Sequence, residues 1–355
     1  MGQVANFFDE KRFPIDSGQR ISGEYPYYGA TGIIDYVADY IFDGNYILLA
    51  EDGANIIMRN SPIAYITTGK FWLNNHAHIM TMTDGSNDFL LQILENQNYE
   101  KYNSGTAQPK LNGKVVKELS FCFPTKYEQQ KIGSFFKQLD NIIAQNEYKV
   151  DLLKQLKQAY LQKIFSQKLR FAGFSEDWAQ RKLGEYVNFL NGRAYKQTEL
   201  LDKGRYRVLR VGNFNTNDRW YYSDLELEQH KYANKGDLLY LWATNFGPEI
   251  WNEEKVIYHY HIWKLELLNN NLNKQYLYTW LMTDKERIKQ NTNGTTMVHV
   301  TKRNMEQRDF QFPSIEEQIK VGSFFKQLDN LITLNQQKLN LLKKQKQAFL
   351  KKMFI

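Results

Sequence analysis

From Ile132 to Ile164, the positions Ile132, Phe136, Leu139, Ile143, Asn146, Val150, Leu153, Lys157, Tyr160 and Ile164 follow in alternating steps of three and four. Most are apolar, and the spacing is a heptad seam, which predicts a helix with one stripe to bury. The same seam returns as Val321, Phe325, Leu328, Ile332, Asn335, Leu339, Leu342, Lys346, Phe349 and Met353. Gly105 to Phe165 aligns without a gap onto Gly294 to Phe354, "FCFP" on "FQFP" and "EQQKIGSFFKQLDN" on "EQIKVGSFFKQLDN". Helices over 128–165 and 316–355 are therefore expected, each near 55 Å long at about 1.5 Å per residue. Pro124 and Pro313 lie just upstream, where they end the preceding segment without breaking a helix. A stripe of this length cannot be buried against itself, so the two copies are expected to pair as an antiparallel coiled coil with a pseudo-twofold repeat. Asn146 and Asn335 interrupt the seam near the helix midpoints; they either set its register or mark solvated gaps.

The intervening stretches, 1–127 and 166–315, change to short Tyr- and Ile-rich runs broken by Gly, Asn and Asp. In the first, "YILLAED", "IAYITT" and "AHIMTM" read as strands and "FLLQILENQNYEKY" as a helix before "SGTAQPKLNGK". In the second, "RYRVLRVGNF", "DLLYLWATNF" and "VIYHYHIWKLEL" read as strands and "KQYLYTWLMTDKERIKQ" as the matching helix before "NGTTMVHVTKRN". The expected class is α/β (α+β): two globular units, alike in the order of their elements and unlike in their words, joined by two near-identical helices.

With 355 residues, two domains are the natural reading, and the high aromatic content, 23 Tyr and 22 Phe, argues against disorder. A net charge of +7 is a weak vote for a polyanionic partner. One cysteine, Cys122 in "LSFCFP", excludes an internal disulfide and a cysteine zinc site; it reads as a buried structural thiol in a reducing compartment. No run of about 18 apolar residues appears, the start lacks a secretion signal, and Asn6 stands where a myristoylation motif needs Ser or Thr. A soluble, cytoplasmic protein is expected.

His76 with His78 and His259 with His261 could share a strand face and hold a metal. Their matched positions in the two units, with no third ligand evident nearby, favour a structural element of the fold. "PEIWNEEK", Pro248 to Lys255, offers acids and a lysine but reads better as solvated loop charge than as a nuclease site. No phosphate-binding G-x-x-x-x-G-K-[ST] loop occurs.

The layout resembles the specificity (S) subunits of type I restriction-modification systems. The resemblance covers nearly the whole chain and rests on several phrases: "FPTKYEQQKIGSFFKQLDN" with "FPSIEEQIKVGSFFKQLDN", the lead-in "LRFAGFSEDWAQRKLGEYV" at Leu169 to Val187, "YYGATGIIDYV", "ILLAEDGA" and "FWLNNHAHIM" in the first unit, and "GDLLYLWATNFGP" and "YHYHIWKLEL" in the second. It implies target recognition domains at 1–127 and 166–315, carried on helices that set the spacer of a bipartite DNA target and dock two modification (methyltransferase) subunits. It also implies a non-catalytic chain that binds no cofactor itself. S-adenosylmethionine would belong to the modification subunits, ATP and Mg to restriction (translocase/nuclease) subunits. The Asn/Asp-Pro-Pro-aromatic motif of adenine methyltransferases is absent here, since the chain has no Pro-Pro dipeptide. The lead-in has no counterpart before the first unit, which opens at "MGQVANFF"; the expectation is a truncated or late-starting chain.

Reading double-stranded DNA needs cationic and hydrogen-bonding loop side chains. In the first domain the candidates are Arg59, Asn60, Ser104, Thr106, Gln108, Lys110, Asn112 and Lys114. In the second they are Arg193, Tyr195, Lys196, Asn245, Asn293, Thr295, Thr296, His299, Lys302 and Arg303. Two competing readings stay open: a coiled-coil adaptor that binds proteins, and a self-sufficient enzyme with metal at the H-x-H pairs.

Overall fold

The computed structural model describes residues 1–105, 107–214, 217–243, 246–291 and 300–354. The chain forms two compact units, one made of 1–149 with 336–355, the other of 150–335. Each unit thus takes part of both long helices.

In the first unit, β1 (Ala5–Phe7), β2 (Ser22–Gly29), β3 (Gly32–Val37), β4 (Phe42–Ala50), α1 (Asn55–Met58), β5 (Ala64–Leu73), β6 (Ala77–Met82), α2 (Asn87–Asn96) and α3 (Gly113–Glu118) precede the long α4 (Lys126–Phe165). The strands make one sheet in the order β1-β6-β4-β5-β2-β3, antiparallel except for the β2–β5 pair. The continuous apolar end of β4, Ile47 to Ala50, is wholly buried, because α2 covers one face with Leu90 and Leu94 against Ile47, Leu49 and Met80 while Phe42, Phe71 and Tyr46 pack on the other.

The second unit contains β7 (Ala179–Lys182), β8 (Val187–Asn191), β9 (Tyr206–Leu209), β10 (Tyr221–Ser223), β11 (Tyr232–Ala233), β12 (Leu238–Leu241), β13 (Gly247–Ile250), β14 (Val256–Tyr258), β15 (Ile262–Leu267), α5 (Lys274–Asn291), α6 (Lys302–Glu306) and β16 (Asp309–Phe312), followed by α7 (Ile315–Met353). Its sheets run β13-β12-β15-β8 and β10-β9-β14-β11, with β9–β14 parallel, and β16 pairs with β7. Strand for strand this is the first unit's order, with the counterparts of β4 and β5 each broken in two: β11 and β12 for β4, β13 and β14 for β5. The preserved order of elements expected from the sequence is therefore a preserved topology. "VIYHYHIWKLEL" is not one strand, however. His259 to His261 form the turn between β14 and β15, so the two histidines do not alternate along a strand.

The helices α4 and α7 are 40 and 39 residues long. Within the first unit, Phe135 meets Phe349 at 5.1 Å between ring centroids, Asp140 pairs with Lys346 at 2.6 Å and Glu147 with Lys343 at 2.6 Å. Numbers rise on one helix as they fall on the other, so the run is antiparallel. Within the second unit, Lys157 pairs with Asp329 at 2.5 Å and Tyr160 meets Phe324 at 5.2 Å, again antiparallel. Adding 189 to Phe135, Asp140, Lys157 and Tyr160 gives Phe324, Asp329, Lys346 and Phe349. The ion pair and ring pair in one unit are therefore those of the other with the helices exchanged, as a pseudo-twofold repeat requires.

Every seam position on α4 is buried or half-buried. On α7 the seam holds to Lys346 and then slips: Phe349 and Met353 are exposed, and Leu350 is buried instead. A helix of 3.6 residues per turn drifts about 20° per heptad against a 3.5-residue repeat, so the buried stripe moves by one position near the end. Asn146 and Asn335 each donate from Nδ2 to the carbonyl four residues back, Ile142 and Leu331, at 2.7 Å. Cys122 is exposed, which corrects its reading as a buried thiol. "LSFCFP" lies outside the helices and strands, and its Phe121 and Phe123 pack toward the first unit's core and leave the thiol outside. Among the described residues no helix is long and apolar enough to cross a membrane.

Candidate nucleic-acid interface

The doubled phrase fixes each globular unit to its helix. Gly133 and Gly322, 189 residues apart, lie where a β-carbon would come 2.8 Å from the backbone nitrogens of Phe89 and Tyr276. Those nitrogens belong to the third residues of α2 and α5, and they donate to the capping side chains Ser86 (3.2 Å) and Asn273 (3.0 Å). Glycine is required because backbone approaches backbone, and the cap satisfies an otherwise orphaned amide. Gln129 and Gln318 repeat the pattern, each donating from Nε2 at 2.9 Å to the carbonyl of the preceding proline, Pro124 or Pro313. In the second unit Glu317, only 2% exposed, receives Nε and Nη2 of Arg170 at 2.7 and 2.8 Å and Nε1 of Trp178 at 2.8 Å.

At one end of the first unit's sheet four loops converge on a recess. These are the β2–β3 turn with Gly29 and Thr31, the segment Asp52 to Asn55 after β4, the β5–β6 turn with Asn74 and His76, and the 103–112 loop through Gln108. The last loop is pinned by backbone bonds, Gly53 N to Pro109 O (3.0 Å) and Leu111 N to Glu51 O (2.7 Å). Buried His78 pins it from the other side, with Nε2 2.7 Å from Leu111 O and Nδ1 2.8 Å from Asp9. Burial opposes ionisation of Asp9, but its hydrogen bond and attraction to His78 prevail and hold the carboxyl below its ordinary range. His76 stays at the exposed rim, 2.9 Å from Asp52. One histidine of the pair thus ties a loop to the sheet while the other faces outward. Among the described residues no three His, Cys, Asp or Glu side chains are grouped to hold a metal.

The candidate residues of the first unit do not form one patch. Gln108 lines the recess, and Lys110 stands beside it, bridged to Asp52 through the backbone and 3.5 Å from Glu51. Ser104 and Asn112 bond to each other at 3.5 Å, and Lys114 is exposed on α3. Arg59, at a left-handed position (φ 53°) ending α1, is tied to Glu95 beside a separate recess, with Asn60 exposed next to it.

The same end of the second unit carries an aromatic platform. His259, Tyr260 and His261 of the β14–β15 turn have ring centroids 4.0 to 4.9 Å apart, Trp242 after β12 lies 4.9 Å from His261, and Tyr195 stacks on His259 at 6.4 Å. Burial, then the neighbouring His261 and Arg210, lower the His259 pKa to about 4, so it is neutral at pH 7. Arg193 is held bidentately by Glu199 at 2.7 and 3.1 Å over the ring of Tyr195, and Lys196 is exposed beside them. Lys302 donates at 2.8 Å to Phe189 O, which makes it a strut, while Arg303 is exposed on α6. Thr106, Asn245, Asn293, Thr295, Thr296 and His299 lie outside the described residues. Trp242, Tyr260 and the two histidines were not singled out as contact residues from the sequence. The signal was present: aromatic side chains crowd "LYLWAT" and "YHYHIW" at strand ends, and faces open at a sheet end suit stacking on bases.

Comparison with known proteins agrees with this architecture. A putative type I restriction enzyme specificity subunit of Haemophilus influenzae is 25% identical over 352 residues, 94% of this chain and 88% of its own. The MjaVIII type I specificity subunit of Methanocaldococcus jannaschii is 21% identical over 99% of this chain and 90% of its own. In fold, the crystal structure of the type I restriction-modification S subunit from M. genitalium matches with a TM-score of 0.72 at 18% identity, covering 100% of this chain and 94% of that one. The model of the type I restriction modification DNA specificity domain matches residues 1–155 and again 175–344, one copy for each half of the repeat, and the chain belongs to that family.

Proposed function

We propose that this chain is the DNA sequence-recognition subunit of a type I restriction-modification complex, each globular unit reading one half of a bipartite double-stranded target. The observation that carries the reading is reciprocity. Two units of one topology are held by interchangeable contacts, Lys157–Asp329 and Lys346–Asp140, yet present different loop ends. A symmetric holder with dissimilar reading surfaces suits a target of two unlike halves, and α4 with α7 would set the spacer at about one DNA turn, near 34 Å, or less. Asn146 and Asn335 would fix the register of that pair.

On this reading, Gln108, Lys110 and the 103–112 loop contact DNA in the first unit. Arg193, Tyr195, Lys196, Arg303 and the Trp242–His261 platform do so in the second. Arg59, Lys114 and Lys302 would approach phosphates or support the loops. The chain carries no chemistry of its own. Two modification subunits dock on the helices and bring S-adenosylmethionine, restriction subunits bring ATP and Mg, and the complex works in the cytoplasm.

A gel shift with the partner methyltransferase present tests the core claim. Binding through six to ten phosphates should weaken about 10³-fold or more between 50 and 200 mM salt. Affinity that is flat with salt would refute DNA recognition and favour a protein-binding adaptor. Mapping methylated adenines in cells expressing the complex would give the two half-sites.

A further inference from the structure

Strand β9 runs parallel to β14 with Leu209 beside Tyr258, so Arg210 and His259 leave the sheet side by side at the end that carries the aromatic platform. His259 N donates to Leu209 O at 2.9 Å and Arg210 N to Asn213 Oδ1 at 3.0 Å, which holds the backbone at this junction. The Arg210 guanidinium lies 4.3 Å from the ring centroid of Tyr221. It is close enough to His259 to add, after burial and His261, to the lowering of that ring's pKa. The arginines around it are already paired. Arg193, Arg205, Arg207 and Arg219 face the carboxylates of Glu199, Glu226, Glu253 and Asp202. Arg210 differs: no described residue accepts a hydrogen bond from its side chain, and Nε is covered without a partner although the residue is only half-buried. A partly buried cation with unsatisfied donors is costly, because bonds to water are lost and nothing in the chain replaces them. Such a site is completed by what binds to it.

We infer that Arg210 reads a guanine in the half-site of the second unit, its terminal nitrogens donating to O6 and N7 in the major groove. The inference rests on the proposed function, in which this unit contacts double-stranded DNA. Guanine shows two acceptors on that edge, where adenine shows one acceptor and an amino group that offers a guanidinium no second bond. The planar fork matches the first base and not the second. A phosphate would also accept the charge, but backbone contact suits exposed side chains that can follow a strand, as Lys196 and Arg219 are. Arg210 is held instead, at the end of a strand, against Tyr221 and beside His259. Fixed geometry is what reading a base edge requires.

The test uses the full chain in complex with its modification subunits. Mapping methylated adenines gives the two half-sites of the native complex. Each guanine in them is then replaced singly by 7-deazaguanine, which keeps O6 and the base pair and lacks N7. In competition binding, one such replacement should weaken the native complex about tenfold and leave the Arg210→Gln complex indifferent. The motif methylated by Arg210→Gln should lose its guanine preference at that position alone, with the other half-site unchanged. No sensitive guanine in the native complex, or equal sensitivity in both complexes, would overturn the inference. So would Arg210→Gln weakening all sequences alike while the salt slope falls by about one, which marks a phosphate contact. A native complex whose binding is flat with salt and that methylates no two-part motif would refute DNA recognition itself, and the assignment with it.

Discussion

Glu317 and Glu128 are one residue of the repeat in two settings, so the same substitution in each isolates the effect of its partners. Glu317→Gln removes the charge that faces Arg170 and loses one arm of a bidentate pair whose side chains are 2% and 16% exposed. Breaking a buried pair by removing one partner costs about 3–5 kcal/mol, and the partial exposure of Arg170 places this case near the lower end, about 3 kcal/mol. Because the carboxylate secures the segment from Arg170 to Trp178, the loss should appear locally. Opening of β7 from β16 should become about 100-fold easier, at 1.4 kcal/mol per factor of ten. Native-state hydrogen exchange reads this directly in the amides of 179–182 and 309–312. Glu128→Gln removes an exposed carboxylate with no described cation beside it, and only its favourable place in the first turn of α4 is lost, about 0.5 kcal/mol. Exchange in the first unit should barely move. Equal responses of the two variants, or a Glu317→Gln protein in which β7 stays protected, would refute the reasoning.

Other perturbations follow from the same contacts. Gly322→Ala places a methyl 2.8 Å from Tyr276 N and 3.1 Å from the Gln275 carbonyl carbon, so urea titration should show a loss of about 1–3 kcal/mol. Gly18→Ala, with open space around it, should stay within about 0.5 kcal/mol. His259, with its pKa lowered to about 4, lets the unfolded chain bind the extra proton, so its contribution is present above pH 6.5 and is lost as pH falls from about 6.5 to 4. Thermal melts of the native chain and His259→Asn should converge by about 1–2 kcal/mol across that window, discounted for a half-buried ring; parallel curves would contradict a neutral His259. Inserting one heptad into both α4 and α7 lengthens each by about 10.5 Å, roughly three base pairs. The methylated half-sites should stay the same while the gap grows, and altered half-sites with an unchanged gap would sink the spacer reading.

Much of the architecture was legible in the sequence because its strongest signals were periodic. The seam from Ile132 to Ile164 and its copy fixed the helices to within two residues at each start, and the ungapped repeat implied their exchange symmetry. Strand ends were less legible. "VIYHYHIWKLEL" reads as one strand because a turn built from His259, Tyr260 and His261 has neither the glycine nor the proline that usually marks a reversal. Cys122 was misjudged for a related reason, since an apolar word implies burial only when something covers both of its faces.

The candidate interface was legible only as a class of residues. Arg193 and Lys302 look alike in sequence, yet one is clamped by Glu199 at the platform's edge and the other holds a strand carbonyl. Gln108 and Arg59 also look alike as loop polar residues, but they line different recesses.

Sequence alone determined that two like units are carried on one doubled helix, because heptad spacing, glycine placement and repeat offset are local properties that any partner must obey. Tertiary structure decided which loops meet at the sheet ends, which cations are already paired, and that one buried carboxylate, Glu317, gathers both Arg170 and Trp178. Those are distances between residues far apart in the chain, set by strand order and packing, and a linear pattern does not carry them.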